Sequence, residues 1–186
     1  MMHGRKMSNN LIVIENGQLT SYCLDDKLCW QVGRPSKDNI PDIVLHSVTA
    51  SRKHGKFQNM DGVWFYVDNS GNKNGTVYNN KKIKTGLNGR VKPIMVSDGD
   101  IFIFGGGEKA IINHQTIWAL FTTRSIDTNW KSINTNGSTE ILIRTNKHKE
   151  VLKNLRKGDV IKKLNGMFIY MGEIAYLMGD IDIVKK

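Results

Sequence analysis

Apolar residues along this chain come in short runs. Leu11-Ile12-Val13-Ile14, Cys29-Trp30-Gln31-Val32, Val63-Trp64-Phe65-Tyr66-Val67, Ile101-Phe102-Ile103-Phe104 and Ile117-Trp118-Ala119-Leu120-Phe121 are rich in β-branched and aromatic side chains. Such residues fit a pleated, half-buried surface, and runs this short match strands rather than helices. Turn formers bound them: Glu15-Asn16-Gly17, Asp25-Asp26, Gly33-Arg34-Pro35, Asp61-Gly62, Asp98-Gly99 and Gly105-Gly106-Gly107. Asn16-Gly17 and Asp61-Gly62 predict tight hairpins, because both residues of each pair tolerate the positive φ of primed turns. Residues 11 to 121 show no apolar stripe of helical period. Short strands joined by regular turns predict an all-β chain, an antiparallel sandwich or barrel.

After residue 122 the pattern weakens. Ile141-Leu142-Ile143, Val160-Ile161 and Phe168-Ile169-Tyr170-Met171 read as strands, and His148 to Arg156 as one helical turn or a polar loop. Lys157-Gly158-Asp159-Val160-Ile161 echoes Asp98-Gly99-Asp100-Ile101-Phe102, and Thr135-Asn136-Gly137-Ser138 echoes Lys73-Asn74-Gly75-Thr76. Two echoes in the same order fit a degenerate partial repeat, and equally a chance match of Gly-Asp turns.

Composition sharpens this. The 186 residues include 39% apolar and 24% charged side chains, enough for a core and too few charges for a disordered chain. No apolar run approaches a membrane-spanning length, and the polar start Met1 to Asn10 has no signal-peptide core, so the expected setting is cytoplasmic, with no membrane insertion. Two cysteines, Cys23 and Cys29, build no disulfide scaffold. The 27 Lys and Arg against 17 Asp and Glu leave a net charge of +10, which favours acidic partners. Between Asn69 and Ser97 stand Lys73, Lys81, Lys82, Lys84, Arg90 and Lys92 with no acidic residue. No basic strand is interleaved with aromatics for stacking bases, so specific nucleic-acid binding is not expected.

Polar clusters sit at three strand ends: Gly33-Arg34 after Val32, Ser51-Arg52-Lys53-His54-Gly55 before the strand around Lys56-Phe57-Gln58, and Asp68 to Thr76 after Val67. A planar guanidinium fork, a hydroxyl, further cations and carboxamides suit a phosphate dianion better than a metal or a nucleophilic reaction. Taken singly, each residue reads as an ordinary surface cation or turn former.

In order and spacing, Gly33-Arg34, Ser51-Arg52-Lys53-His54, Asn74-Gly75-Thr76-Val77-Tyr78-Asn79 and Asp98-Gly99-Asp100-Ile101 to Gly105 resemble a forkhead-associated (FHA) domain over residues 10–122. The resemblance implies an antiparallel β-sandwich of about eleven strands that reads phosphothreonine peptides with loops at one end. It implies Arg34 as principal phosphate ligand, Ser51 giving its hydroxyl to the phosphate, Arg52 in support, and Asn74 holding the peptide backbone. Thr49 falls where the family tunes selectivity beside the phosphothreonine, while Gly33, His54 and Gly75 fall at structural positions. The family's usual Ser-Thr before Asn-Gly is replaced here by Asn72 and Lys73. Lys73 then either replaces a hydroxyl contact by an ammonium or points to solvent.

Residues 123–186 are expected to form a small, mostly β extension or a partial FHA-like repeat. The predicted function is non-catalytic: a phosphothreonine-peptide adaptor in bacterial signalling, whose partners are a threonine-phosphorylated protein and a Ser/Thr kinase or secretion-system component. The alternative is a phosphate-independent docking scaffold similar to those of Gram-positive type VII secretion ATPases. No cofactor is expected: Gly105 to Ala110 lacks the Gly-Lys-Ser/Thr ending of a nucleotide loop. No metal site is expected either, since the histidines form no i, i+4 pair and the cysteines have no matching His or Cys partners.

Overall fold

The computed structural model describes residues 8–16, 18–70, 75–84, 91–105, 117–123 and 130–184. The chain divides into two compact units, Met1–Ser125 and Ile126–Lys186.

The first unit is built from β1 (Asn10–Glu15), β2 (Gln18–Cys23), a 3-10 turn (Leu24–Asp26), β3 (Cys29–Gly33), β4 (Ile43–Val44), β5 (Gly55–Met60), β6 (Val63–Asp68), β7 (Thr76–Tyr78), β8 (Lys81–Lys82), β9 (Ile94–Met95), β10 (Ile101–Phe104) and β11 (Ile117–Thr122). Six strands form one sheet in the order β2-β1-β11-β10-β7-β8, and five form the other, β4-β3-β5-β6-β9. The all-β fold predicted from the run lengths is the one observed. Both predicted hairpins form: Glu15 pairs with Gln18 around Asn16 at φ 51°, and Met60 pairs with Val63 around Asp61 at φ 55° and Gly62 at φ 86°. A third hairpin was not foreseen. Asn79 and Asn80, at φ 45° and 71°, join β7 to β8, because the Asn side chain tolerates left-handed backbone almost as Gly does.

Alternation along β6 sends Trp64, Tyr66 and Asp68 inward, and along β10 it sends Phe102 and Phe104 inward. Trp64, Tyr66, Phe102 and Phe104, together with Leu11, Val13, Val32, Ile43, Phe57, Ile117, Ala119 and Phe121, make one core from side chains of both sheets. Aromatic rings bridge the layers. Phe57 meets Phe102 edge-on at 5.3 Å, and Tyr66 lies 4.9 Å from both Phe57 and Phe102. Such pairs add roughly 0.5–1.5 kcal/mol each beyond the burial itself.

One corner of this core is polar and fully satisfied. His54 is buried and packs edge-on against Phe104 at 5.3 Å. The Ser51 N–H donates to His54 Nδ1 at 3.0 Å, so the imidazole carries its proton on Nε2 and donates to Thr76 Oγ1 at 2.8 Å. Thr76 donates in turn to Asp68 Oδ1 at 2.6 Å; Tyr66 donates to the same oxygen at 2.9 Å and Ser70 to Oδ2 at 2.7 Å. Burial and the neighbouring Asp68 charge push the Tyr66 hydroxyl well above its ordinary pKa, which keeps it a donor.

The second unit has β12 (Lys131–Asn134), β13 (Ile141–Thr145), β14 (His148–Leu152), β15 (Asp159–Lys163), β16 (Gly166–Tyr170), β17 (Ile174–Gly179) and β18 (Asp182–Ile183). They form a four-stranded sheet, β12-β17-β16-β15, and a three-stranded one, β14-β13-β18. Ile141, Ile143, Leu152, Leu155, Phe168, Tyr170, Ala175, Leu177 and Ile181 give it a core of its own. The expectation of a helical turn or polar loop at 148–156 is corrected. His148–Leu152 is strand β14, paired with β13 through a hairpin whose Asn146 sits at φ 55°. Four of its five residues are exposed, so its side chains carried no alternating signal.

The first sequence echo is a repeated piece of structure. Gly99 and Gly158 take φ 91° and 95°, and each donates its N–H to the strand across the hairpin, at Phe121 O (2.8 Å) and Tyr170 O (2.7 Å). Asp100 Oδ2 accepts the Ser97 N–H at 2.8 Å, and Asp159 Oδ2 accepts the Arg156 N–H at 2.7 Å. In the second echo Asn136 and Gly137 stand at φ 55° and 73° and Gly75 at φ 67°, while Asn74 lies outside the described residues.

The neutral imidazole gives a testable pH dependence. Burial lowers the pKa of His54 below its ordinary value, against the opposing pull of the Asp68 charge and the Gly75 carbonyl. The folded protein therefore binds this proton less readily than the unfolded chain. The stability it contributes is complete above the ordinary imidazole pKa of about 6.5 and is lost as pH falls through that value, at up to about 1.4 kcal/mol per pH unit. His54→Gln should lower the urea midpoint at pH 7.5, with the gap from wild type narrowing toward pH 5. A gap that stays constant would show that His54 titrates alike in both states.

Candidate functional site

The ends of β3, β5 and β6 bring two of the three polar clusters together and lead into the third. Arg34 follows Gly33, the last residue of β3, and donates its backbone N–H to Ser51 O at 3.1 Å. His54 N–H bonds Val32 O at 2.9 Å and Leu45 N–H bonds Gly33 O at 2.8 Å, so β3 is clamped between the two segments that flank Ser51. The crossing is close. A Cβ on Gly33 would stand 2.0 Å from Arg52 O and 3.1 Å from Ser51 O. Only a residue without a side chain lets the 51–52 turn lie across the strand end.

Ser51 is partly buried; its hydroxyl donates at 3.4 Å to the carbonyl of Ser70, the last described residue before Lys73 and Asn74. Those two residues lie outside the described residues. Gly75, where the chain re-enters them, is buried, and its carbonyl accepts the Gly105 N–H at 3.0 Å. Arg52 and Lys53 are exposed beside Ser51, and Lys81, Lys82 and Lys84 are exposed along the sheet edge that starts after Gly75. Arg34 itself is half-buried, and its Nε is fully buried without a hydrogen-bond partner. A buried guanidinium nitrogen left without an acceptor is costly unless an anion completes it.

Thr49 belongs to a turn that is held from several sides. Ala50 N–H bonds Ser47 O at 3.0 Å, and Ser47 Oγ lies 2.8 Å from Thr49 Oγ1. The Glu15 carboxylate accepts the N–H groups of His46, at 2.8 and 3.0 Å to its two oxygens, and of Ser47 at 3.1 Å. Gly105 backs the turn so closely that a Cβ there would meet Thr49 Oγ1 at 2.5 Å.

Sequence reasoning assigned no task to three of these residues. Thr76 lay in the motif that starts at Asn74, and Asp68 in the polar cluster after Val67, where its place in step with Trp64 and Tyr66 was the available signal. Glu15 gave none, being 31 residues from His46 in the chain. Among the described residues no group of three His, Cys, Asp or Glu side chains gathers to hold a metal, and no helix is long and apolar enough to cross a membrane.

Known proteins can now be set beside this geometry. Yeast Pml1p is 23% identical, with 62% of this chain and 81% of that one covered and a TM-score of 0.49. The FHA domain of the CT664 protein from Chlamydia trachomatis is 21% identical, covering 63% of this chain and 99% of that one at a TM-score of 0.46. A structure from work on phosphothreonine-dependent FHA domain interactions is 20% identical, covering 64% and 99% at a TM-score of 0.43. No curated protein sequence matches the chain. The model of the FHA domain family matches residues 30–105, the stretch that contains all four sequence motifs and every candidate site residue. Residues 30–105 thus match the FHA domain, a type of protein-interaction module for which phosphothreonine binding is typical.

Proposed function

We propose that residues 10–122 are a non-catalytic reader of threonine-phosphorylated peptides, with the extension 123–186 outside the reading site. The observation that carries this is the buried, unpartnered Nε of Arg34 on a backbone bonded directly to Ser51. In this reading the guanidinium takes two phosphate oxygens and Ser51 adds its hydroxyl. Arg52 and the exposed lysines supply attraction, Asn74 clamps the peptide backbone, and Thr49 selects side chains near the phosphothreonine. Lys73 adds an ammonium to the phosphate or remains in solvent, and Gly33, His54 and Gly75 keep the loops in place. The partner is a protein phosphorylated by a Ser/Thr kinase, met in the cytoplasm.

Phosphopeptide titration tests the reading. Two charge-assisted hydrogen bonds at about 1.5–3 kcal/mol each imply that Arg34→Ala weakens binding by at least about a hundredfold. Arg34→Lys should recover only part of that, since an ammonium has no planar fork. Equal affinity for phosphorylated and unphosphorylated peptides would overturn the proposal in favour of phosphate-independent docking.

A matched phosphoserine peptide gives a second measure. It lacks one methyl, worth about 0.8 kcal/mol when buried, so it should bind about fourfold more weakly. A larger factor would report tight packing around the methyl; none would place the methyl in solvent.

A further inference from the structure

Sheet edges present unpaired N–H and C=O groups that template pairing with another chain, and proteins blunt them by shortening the edge strand or charging it. Among the described residues, the edge strands β4, β8, β9 and β18 are two residues long. Three more carry charge: β12 has Lys131, β14 has Lys149 and Glu150, and β15 has Asp159, Lys162 and Lys163. The remaining edge strand, β2, has neither defence. It runs six residues, Gln18-Leu19-Thr20-Ser21-Tyr22-Cys23, with no charge, no Pro and no Gly. Among the described residues β1 is its one neighbour in the sheet, and Gln18, Thr20, Ser21 and Cys23 are exposed.

Its hydrogen-bonding phase is fixed. The tight turn pairs Glu15 with Gln18, and past the other end Leu24 N–H bonds Asn9 O at 2.8 Å. Since bonded and non-bonded pairs alternate along an antiparallel ladder, Gln18, Thr20 and Tyr22 direct their backbone groups at β1. Leu19, Ser21 and Cys23 direct theirs at the open side.

We propose that β2 is a self-association edge along which two copies of this chain pair antiparallel, Ser21 opposite Ser21, joining their six-stranded sheets. A second copy fits because the strand is complementary to itself. With Ser21 on a two-fold axis, the outward groups of Leu19 meet those of the copy's Cys23, and each N–H faces a C=O. Side chains pair as Leu19 with Cys23 and Thr20 with Tyr22, and no like charges meet. The two-fold arrangement closes as a dimer and leaves no further β2 edge for growth.

Sedimentation of the whole chain, with reductant present to exclude a Cys23 disulfide, tests this from about 5 to about 500 µM at 0.15 M salt, where the repulsion of like net charges is screened. The expected result is a monomer–dimer equilibrium. With rising concentration, amide exchange should slow at Leu19, Ser21 and Cys23, while Thr20 and Tyr22 are protected throughout. Ser21→Pro removes an outward donor and no bond to β1, so it should leave a folded monomer. If it does not fold, Ser21→Lys places like charges on the axis to the same end. A monomer across the range would overturn the proposal, as would a dimer whose Leu19, Ser21 and Cys23 amides exchange at the monomer rate. Pairing of β2 only with a segment of a different protein would overturn it as well.

Discussion

A buried imidazole that must stay neutral holds one end of the first unit together. His54 accepts from the Ser51 backbone on one nitrogen and donates to Thr76 on the other, and Thr76 passes the chain of donors to Asp68. Each link needs the one before it. A protonated Nδ1 would have no lone pair for the Ser51 N–H, and without Asp68 as a pure acceptor the Thr76 hydroxyl would have no reason to turn its lone pair toward His54. The ends of β5, β6 and β7 thus meet through one directional series of protons instead of through packing alone. Low dielectric strengthens such a series when it is complete and makes any gap in it expensive.

That rigidity complements the chemistry proposed at the surface. A phosphate bound by a guanidinium and a hydroxyl gains most when neither has to be ordered on binding. Ser51 is held through its backbone, and Arg34 through its bond to the Ser51 carbonyl and the clamp around Gly33. The exposed cations around them can attract an anion at longer range, an effect that salt reduces.

Much of this was legible in the sequence, and the rest was hidden for physical reasons. The aromatic and β-branched runs of β6, β10 and β11 announced themselves because one face of each is buried in the core. Strands β2 and β14 escaped notice because most of their residues are exposed, so no alternation marks them. At the site, Arg34, Ser51 and His54 stood out through local motifs, and the structure joins their segments by backbone hydrogen bonds. Glu15 stayed invisible because its partners are remote in the chain and are backbone amides, which leave no trace in residue identity. The Gly-Asp echo looked no better than chance in the sequence. Matching bonds and dihedrals at Gly99 and Gly158 identify it as one turn used twice.

The grip of Glu15 on residues 46 and 47 limits how far the first unit can be trimmed. The segment recognised as FHA starts at residue 30, yet a carboxylate fifteen positions upstream fastens the turn that carries Thr49. A fragment trimmed to the recognisable portion would retain Arg34, Thr49 and Ser51 and lose the tether that fastens the turn around Thr49. A piece that keeps this turn fastened therefore has to begin at the first hairpin, upstream of where the family signature begins.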